Sequence, residues 1–163
     1  GEWKRTGEGV VCAYGVFDLL HPGHIRLFEQ ARDSGDILVV AVQSDEMVRR
    51  GAVSVGGDGA PRVDQTERPV TPDTERAEIV AALSAVDFAA VVDESLSEFL
   101  TRFQPGVFAC GDERGSEVTN FECHPAADLD SVFAKIGCRL IRLPVEPGFS
   151  TTRLIERISG RPT

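Results

Sequence analysis

Ile37-Leu38-Val39-Val40-Ala41-Val42 is an unbroken apolar run. A strand with no polar position must be covered on both faces, which places it inside a parallel sheet flanked by helices. The rest of the chain keeps this alternation of short apolar runs and helical patterns. Gly9 to Tyr14 reads as an earlier strand, and from Pro22 the residues Ile25, Leu27, Phe28 and Ala31 fit one helix closed by Gly35. Helical spacing returns over Thr74 to Ala85, behind Asp73 as its start. A strand at Phe88–Val92, a helix from Leu96 to Phe103 and a strand at Val107–Cys110 follow. The chain then offers a helix from Asp128 to Ile136, a strand at Cys138–Leu143 and a last helix from Thr151 to Ile158. This order predicts an α/β fold, a single Rossmann-like, open, mainly parallel sheet with helices on both faces. One domain is expected over residues 9–159 between short tails at 1–8 and 160–163, long enough to bury its own core.

In such sheets ligands bind outside the carboxyl ends of the strands, near the switch in strand order. His21, His24, Ser44-Asp45, Gly111-Asp112 and the stretch from Gly148 to Thr152 all follow predicted strand ends, so the fold sends them to one crevice. Two segments break the regular alternation and border it: Arg49 to Thr71, rich in glycine with Pro61 and Pro69, and Gly111 to Pro125. Gly56-Gly57-Asp58-Gly59 is no P-loop, because no Gly-Lys-Ser/Thr follows, and no G-x-G-x-x-G fingerprint occurs in the chain.

The chemistry concentrates in Tyr14-Gly15-Val16-Phe17-Asp18-Leu19-Leu20-His21-Pro22-Gly23-His24, where a strand runs into a helix. Pro22 suits a first helical turn. Histidines three apart on that turn sit beside backbone N–H groups with no intrahelical acceptor and at the positive end of the helix dipole. Both imidazoles can then donate to one anion, and a phosphate chain is the natural one. A lone His-x-x-His also allows the plainer arrangement, one histidine capping the helix and the other at the surface; strand, Pro-Gly and helix together favour the anion site.

Composition narrows the partners. A formal charge of −9 argues against non-specific nucleic-acid binding, which neutralises phosphates with Lys and Arg. Lys4 and Lys135 are the only lysines, so a further phosphate grip falls to arginine and backbone. Cys12, Cys110, Cys123 and Cys138 show no C-x-x-C spacing; Cys12, Cys110 and Cys138 read as small buried hydrophobes, and Cys123-His124 as part of a loop, with a metal or redox pair as the less favoured alternative. No signal-peptide pattern opens the sequence, and no apolar run approaches the ~18–20 residues that span a bilayer. A cytoplasmic protein with no membrane partner is expected.

His21-Pro22-Gly23-His24 after Gly15-Val16-Phe17-Asp18 resembles the His-x-Gly-His signature of the cytidylyltransferase-like nucleotidyltransferases. Gly148-Phe149-Ser150-Thr151-Thr152-Arg153-Leu154-Ile155 resembles the Gly-x-Ser-Thr-Thr-x-x-Ile motif that opens this family's last helix. Between them, Arg68-Pro69-Val70-Thr71-Pro72 with Glu75-Arg76, and Gly111-Asp112-Glu113-Arg114-Gly115, resemble intermediate family segments in the same order. The resemblance covers roughly Val10 to Ile158.

It implies transfer of a nucleoside monophosphate from ATP or CTP to a phosphorylated small molecule, with release of pyrophosphate. By the same resemblance His21, His24 and Thr151 would act on the reacting phosphates. Tyr14, Gly15, Phe17, Asp18, Gly23, Gly111, Asp112, Gly148, Ser150 and Thr152 would surround the nucleotide. Asp45, Arg49, Arg50 and Arg76 would meet the acceptor. Mg²⁺ would arrive with the triphosphate, without a dedicated protein site. A homodimer is expected, since dimers are common in such families. Gly35-Asp36, Val42 to Asp45 and Arg68 to Pro72 look most like the adenylyltransferase domain that makes ADP-heptose from a heptose 1-phosphate. Gly111 to Gly115 is similar to the glycerol-3-phosphate cytidylyltransferases. The chain departs from both, carrying Ala109-Cys110 before Gly111-Asp112 and Val145 where the second group has arginine, so another sugar phosphate, a polyol phosphate or a phosphonate stays open as acceptor. A nucleotide-binding regulatory module without turnover is the alternative from another class.

Overall fold

The computed structural model describes residues 9–51, 53–55, 61–63, 69–112 and 129–144, with 154 and 158. In chain order the elements are β1 (Val10–Gly15), α1 (Pro22–Arg32), β2 (Ile37–Gln43), α2 (Asp45–Gly51), β3 (Val53–Val55), β4 (Pro61–Val63), α3 (Asp73–Ala81), β5 (Phe88–Val92), α4 (Leu96–Phe103), β6 (Val107–Asp112), α5 (Leu129–Ile136) and β7 (Arg139–Pro144). Five strands form one parallel sheet in the order β5-β2-β1-β6-β7, while β3 and β4 pair as a separate antiparallel hairpin. The order turns back on itself between β1 and β6, the topological switch point of a Rossmann-like sheet.

Side-chain alternation along the central strands explains the apolar runs. Val11 and Ala13 of β1, with Leu38, Val40 and Val42 of β2, face a core built with Phe28 and Ala31 of α1 and Ala77 and Val80 of α3. Cys12, Tyr14 and Ala41 face the other side, against Leu96, Phe99 and Leu100 of α4 and Leu129 and Phe133 of α5. Both faces of β1 and β2 are therefore apolar because both are covered. Cys12, Cys110 and Cys138 are buried, and burial pushes the Cys12 thiol far up, so it stays a protonated, inert core group.

Pairing within the sheet is uneven at the switch point. β1 and β2 stay in register from Val10↔Ile37 to Gly15↔Val42, whereas β1 meets β6 only at Val11↔Val107 and Cys12↔Phe108. The two strands at the switch point thus part before their carboxyl ends. At their amino ends the α1–β2 turn crosses β1 so closely that a Cβ on Gly35 would stand 2.5 Å from the Gly9 carbonyl oxygen and 2.6 Å from Val11 Cγ2. Glycine is required there for close approach.

Several boundaries differ from the sequence reading. The first helix stops at Arg32, short of Gly35, because the Ser34 N–H turns back to the Ala31 carbonyl (3.0 Å) and the Arg32 guanidinium caps the Gly35 carbonyl (2.7 Å). α3 likewise ends at Ala81 rather than near Ala85, since Leu83 and Val86 close turns that drop the chain into β5. Arg49 to Thr71 is not irregular throughout: Arg49 and Arg50 belong to α2, and a hairpin follows. Strand β6 extends to Asp112, and β7 runs Arg139–Pro144. The bounds of β5 and α4 agree with the sequence. Leu154 and Ile158 are helical, as expected for the last helix. Cys123-His124, Glu113 to Pro125, both tails and the rest of that helix lie outside the described residues.

Candidate active site at the switch point

The loop from Val16 to Leu20 carries β1 into α1 through two non-glycine residues in the left-handed region, Phe17 (φ 53°) and Leu19 (φ 48°). Such conformations persist where surrounding structure fixes them. Phe17 is buried against Phe28, with ring centroids 5.0 Å apart, and meets His24 edge-on at 5.7 Å. It also covers Gly15, where an added Cβ would lie 3.1 Å from the Phe17 ring. The buried Asp18 carboxylate accepts the backbone N–H groups of Val70 (3.0 Å) and Thr71 (3.1 Å).

His21 is the extended N-cap of α1, Pro22 its first residue and Gly23 its second. The His21 backbone N–H donates to His24 Nδ1 at 3.3 Å, and the two rings stack 3.8 Å apart at 20°. A neutral imidazole accepts at one nitrogen and donates from the other, so this hydrogen bond assigns the His24 proton to Nε2. Burial pushes His24 down to about 3, with the neighbouring His21 adding to the effect, and burial lowers His21 as well. Both rings are therefore neutral at pH 7. The site presents a stacked pair of neutral imidazoles at a helix N-terminus, beside the parting of β1 and β6, with Gly111 and Asp112 ending β6 on the opposite side.

Other expected site residues are differently disposed. Tyr14 turns its ring away, into the core beneath α4, and its hydroxyl donates to the Glu94 carbonyl (2.8 Å), so only its backbone borders the loop. Asp18 faces Val70 and Thr71, as above. Arg49 and Arg50 project from α2 with exposed side chains; Arg50 pairs with Glu46 at 3.1 Å, and Arg49 lies 3.8 Å from Asp45. Asp45 opens α2 beyond the end of β2, and its Oδ1 accepts from Arg76 at 2.6 Å. Arg76 is not at the surface: it is 1% exposed, and its guanidinium bonds to Thr71, Val16, Gln43 and Asp45. Helical spacing carried this signal, since Arg76 stands four residues before the buried Val80. Gly148, Ser150, Thr151 and Thr152 lie outside the described residues.

Sequence reasoning missed the left-handed pair Phe17 and Leu19, which no local signal marks, and the Ser44 cap. Ser44 Oγ accepts the Met47 N–H (3.1 Å) and donates to Asp93 Oδ1 (2.6 Å), tying the end of β2 to the residue after β5. Behind the loop a cavity of about 350 Å³ is lined by Phe17, Leu19, Leu20, Ile79, Leu154 and Ile158, with Thr71 and Arg76 as its polar members. Among the described residues, no group of three or more His, Cys, Asp or Glu side chains is placed to hold a metal ion, and no helix is long and apolar enough to cross a membrane.

Comparison with known proteins agrees with this fold. The chain is 38% identical, over 95% of its length, to the Bifunctional protein HldE of Koribacter versatilis, and 35% identical over 96% to that of Rhodopseudomonas palustris strain HaA2. It spans only 28% of the length of either relative. The crystal structure of the lipopolysaccharide core biosynthesis protein from Thermoplasma volcanium superposes with a TM-score of 0.61 at 24% identity, covering 86% of this chain and 98% of that one. Pantothenate synthetase from Thermus thermophilus gives 0.51 at 15% identity, over 84% of this chain and 56% of that one. These two likenesses concern the fold. A sequence model of the family described as cytidylyltransferase-like matches residues 12–157, from β1 past the last described strand, and the chain belongs to that family of nucleotidyltransferases.

Proposed function

We propose that this chain transfers a nucleoside monophosphate from ATP or CTP to a phosphorylated small molecule, with a sugar phosphate as acceptor, and releases pyrophosphate. The observation that carries the reading is the neutral, stacked His21–His24 pair at the N-terminus of α1, set where β1 and β6 part. The HldE relatives, and the resemblance to the domain that makes ADP-heptose, support a sugar phosphate over a polyol phosphate or phosphonate.

The reaction asks for positioning and charge stabilisation more than for proton transfer. An ionised oxygen of the acceptor phosphate attacks the α-phosphorus, a new P–O bond forms, and the bond from the α-phosphorus to the bridging oxygen breaks. Pyrophosphate leaves with that electron pair. His24, through Nε2–H, and His21 would donate to the α- and β-phosphate oxygens as negative charge moves onto the leaving group. Gly23, beside them in the first turn, would let the phosphates approach the backbone, with the helix dipole adding to the attraction. Gly15, Phe17 and Asp18 would shape the loop under the nucleotide, and Gly111 and Asp112 would border it from β6. Gly148, Ser150, Thr151 and Thr152 would supply hydroxyl and backbone donors to the β- and γ-phosphates. Arg49 and Arg50, exposed on α2 near Asp45, would meet the acceptor phosphate. Mg²⁺ enters as the triphosphate's own counter-ion, retaining waters, and no step is assigned to a protein-held cation.

Mg²⁺-dependent pyrophosphate release, measured with ATP and CTP in parallel against pooled sugar phosphates, polyol phosphates and phosphonates, tests the reading. Acceptor-dependent release with one nucleotide and a sugar phosphate is expected. Nucleotide binding without release from any pool would favour the regulatory module instead. A second copy of the chain is inferred as partner, supported by the edge strand β5, which leaves Phe88 51% and Val91 39% exposed.

A further inference from the structure

Arg76 is the most completely buried charged side chain among the described residues, and its bonds form a ring around the histidine loop. A guanidinium carries five N–H donors. Nε donates to the Thr71 carbonyl (2.8 Å), Nη1 to the Val16 carbonyl, and Nη2 to both the Gln43 carbonyl (2.9 Å) and Asp45 Oδ1 (2.6 Å). Four donors are thus engaged by the protein, at 1% exposure, and the cavity that Arg76 borders is otherwise lined mainly by apolar side chains.

Each acceptor marks a point that the site needs fixed. Val16 immediately precedes Phe17, whose left-handed backbone starts the loop and whose ring meets His24 edge-on. Gln43 ends β2, and Asp45 begins α2, the helix with the exposed Arg49 and Arg50. The β1–β2 ladder stops at Gly15↔Val42, so Arg76 bridges the two strands just beyond their last paired residues. Thr71 is held from both sides, its carbonyl by Arg76 and its N–H by Asp18 of the same loop. Val16, Asp18, Thr71 and Arg76 therefore close a ring that locks the loop against α3.

We propose that Arg76 is a positioning residue that sets the His21–His24 pair in register with α2, and that it contacts neither nucleotide nor acceptor. The inference rests on the transferase reading for its kinetic consequence and on geometry alone for its spectroscopic one. A planar fork is what the site uses, and lysine, with the same charge at a single point, cannot reach four acceptors in these directions.

The test compares wild type, Arg76→Lys and, as an independent corner of the ring, Asp18→Asn, with Glu78→Gln on the exposed face of α3 as control. Steady-state kinetics with both substrates are expected to show kcat lowered by about 10–100-fold in Arg76→Lys, as for a misplaced catalytic group, with both KM values within about threefold of wild type. A selective rise of ten-fold or more in the KM for one substrate, with kcat retained at saturation, would make Arg76 a ligand and overturn the proposal. Histidine-ring 15N spectra give a readout independent of turnover, because the chain has only three histidines. Wild type is expected to show His24 as a single tautomer protonated at Nε2, and either ring variant to show averaged tautomers while thermal melts still report a folded chain. An unchanged His24 signature in both folded variants would also overturn it. Absence of pyrophosphate release from wild type would sink the transferase reading while leaving the spectroscopic test in force.

Discussion

His24 holds a hydrogen bond from the His21 amide at Nδ1 and is 6% exposed, and these two facts give it a thermodynamic consequence. Its folded pKa, pushed down to about 3, lies below the value near 6.5 expected in the unfolded chain, so the unfolded state binds the proton first on acidification. The stability owed to neutral His24 is fully present above about pH 6.5 and is lost as pH falls toward 3. Lowering pH from 7.5 to 5.5 should cost on the order of 1 kcal/mol from this residue, read by urea unfolding, and the loss should shrink in His24→Asn. Equal pH dependence in the two proteins would show a histidine with an ordinary pKa. The pair itself was legible in sequence because its determinants are local: a strand end, a proline at the first helical position and a three-residue spacing. The direction of the Tyr14 ring was also within reach, since Tyr14 shares a strand face with Cys12. The left-handed Phe17 was not, since no local signal marks it; helical spacing hinted that Arg76 turns inward but could not name its partners, because Val16 lies sixty residues away in sequence.

At the scale of elements, β5 is both the best-predicted strand and the least covered. Phe88-Ala89-Ala90-Val91-Val92 pairs with β2 on one side only, and no lysine or proline on it discourages a further strand. Placing the expected homodimer there leads to a direct test by sedimentation velocity. Wild type should sediment near twice the chain mass, and Phe88→Lys or Val91→Lys should shift it toward monomer with the fold intact. A monomeric wild type, or dimers indifferent to both substitutions, would contradict the placement. Helix ends were harder to read than strand centres. Ala82, Leu83 and Ala85 extend the apolar spacing of α3, yet the turn that starts at Ala82 is fixed by where β5 must begin, a tertiary demand that periodicity does not contain.

For the molecule as a whole, the strand order β5-β2-β1-β6-β7 sets the outcome. The alternation of apolar runs foretold a parallel sheet, and the rule that ligands bind at a switch in strand order directed attention to its strand ends. The sequence alone did not say that β1 and β6 would part after two paired positions. On the proposed reading, that parting would make the helix N-terminus with its two neutral imidazoles the place for the triphosphate. The central claim is that this pair stabilises the departing pyrophosphate, and the most direct measurement is turnover of His24→Ala beside wild type, with the nucleotide and acceptor that support pyrophosphate release. Pre-placed donors to a developing charge are worth a few kcal/mol, so turnover should fall by about 10²–10⁴-fold while the melting profile stays cooperative. Wild-type turnover in His24→Ala would contradict the account.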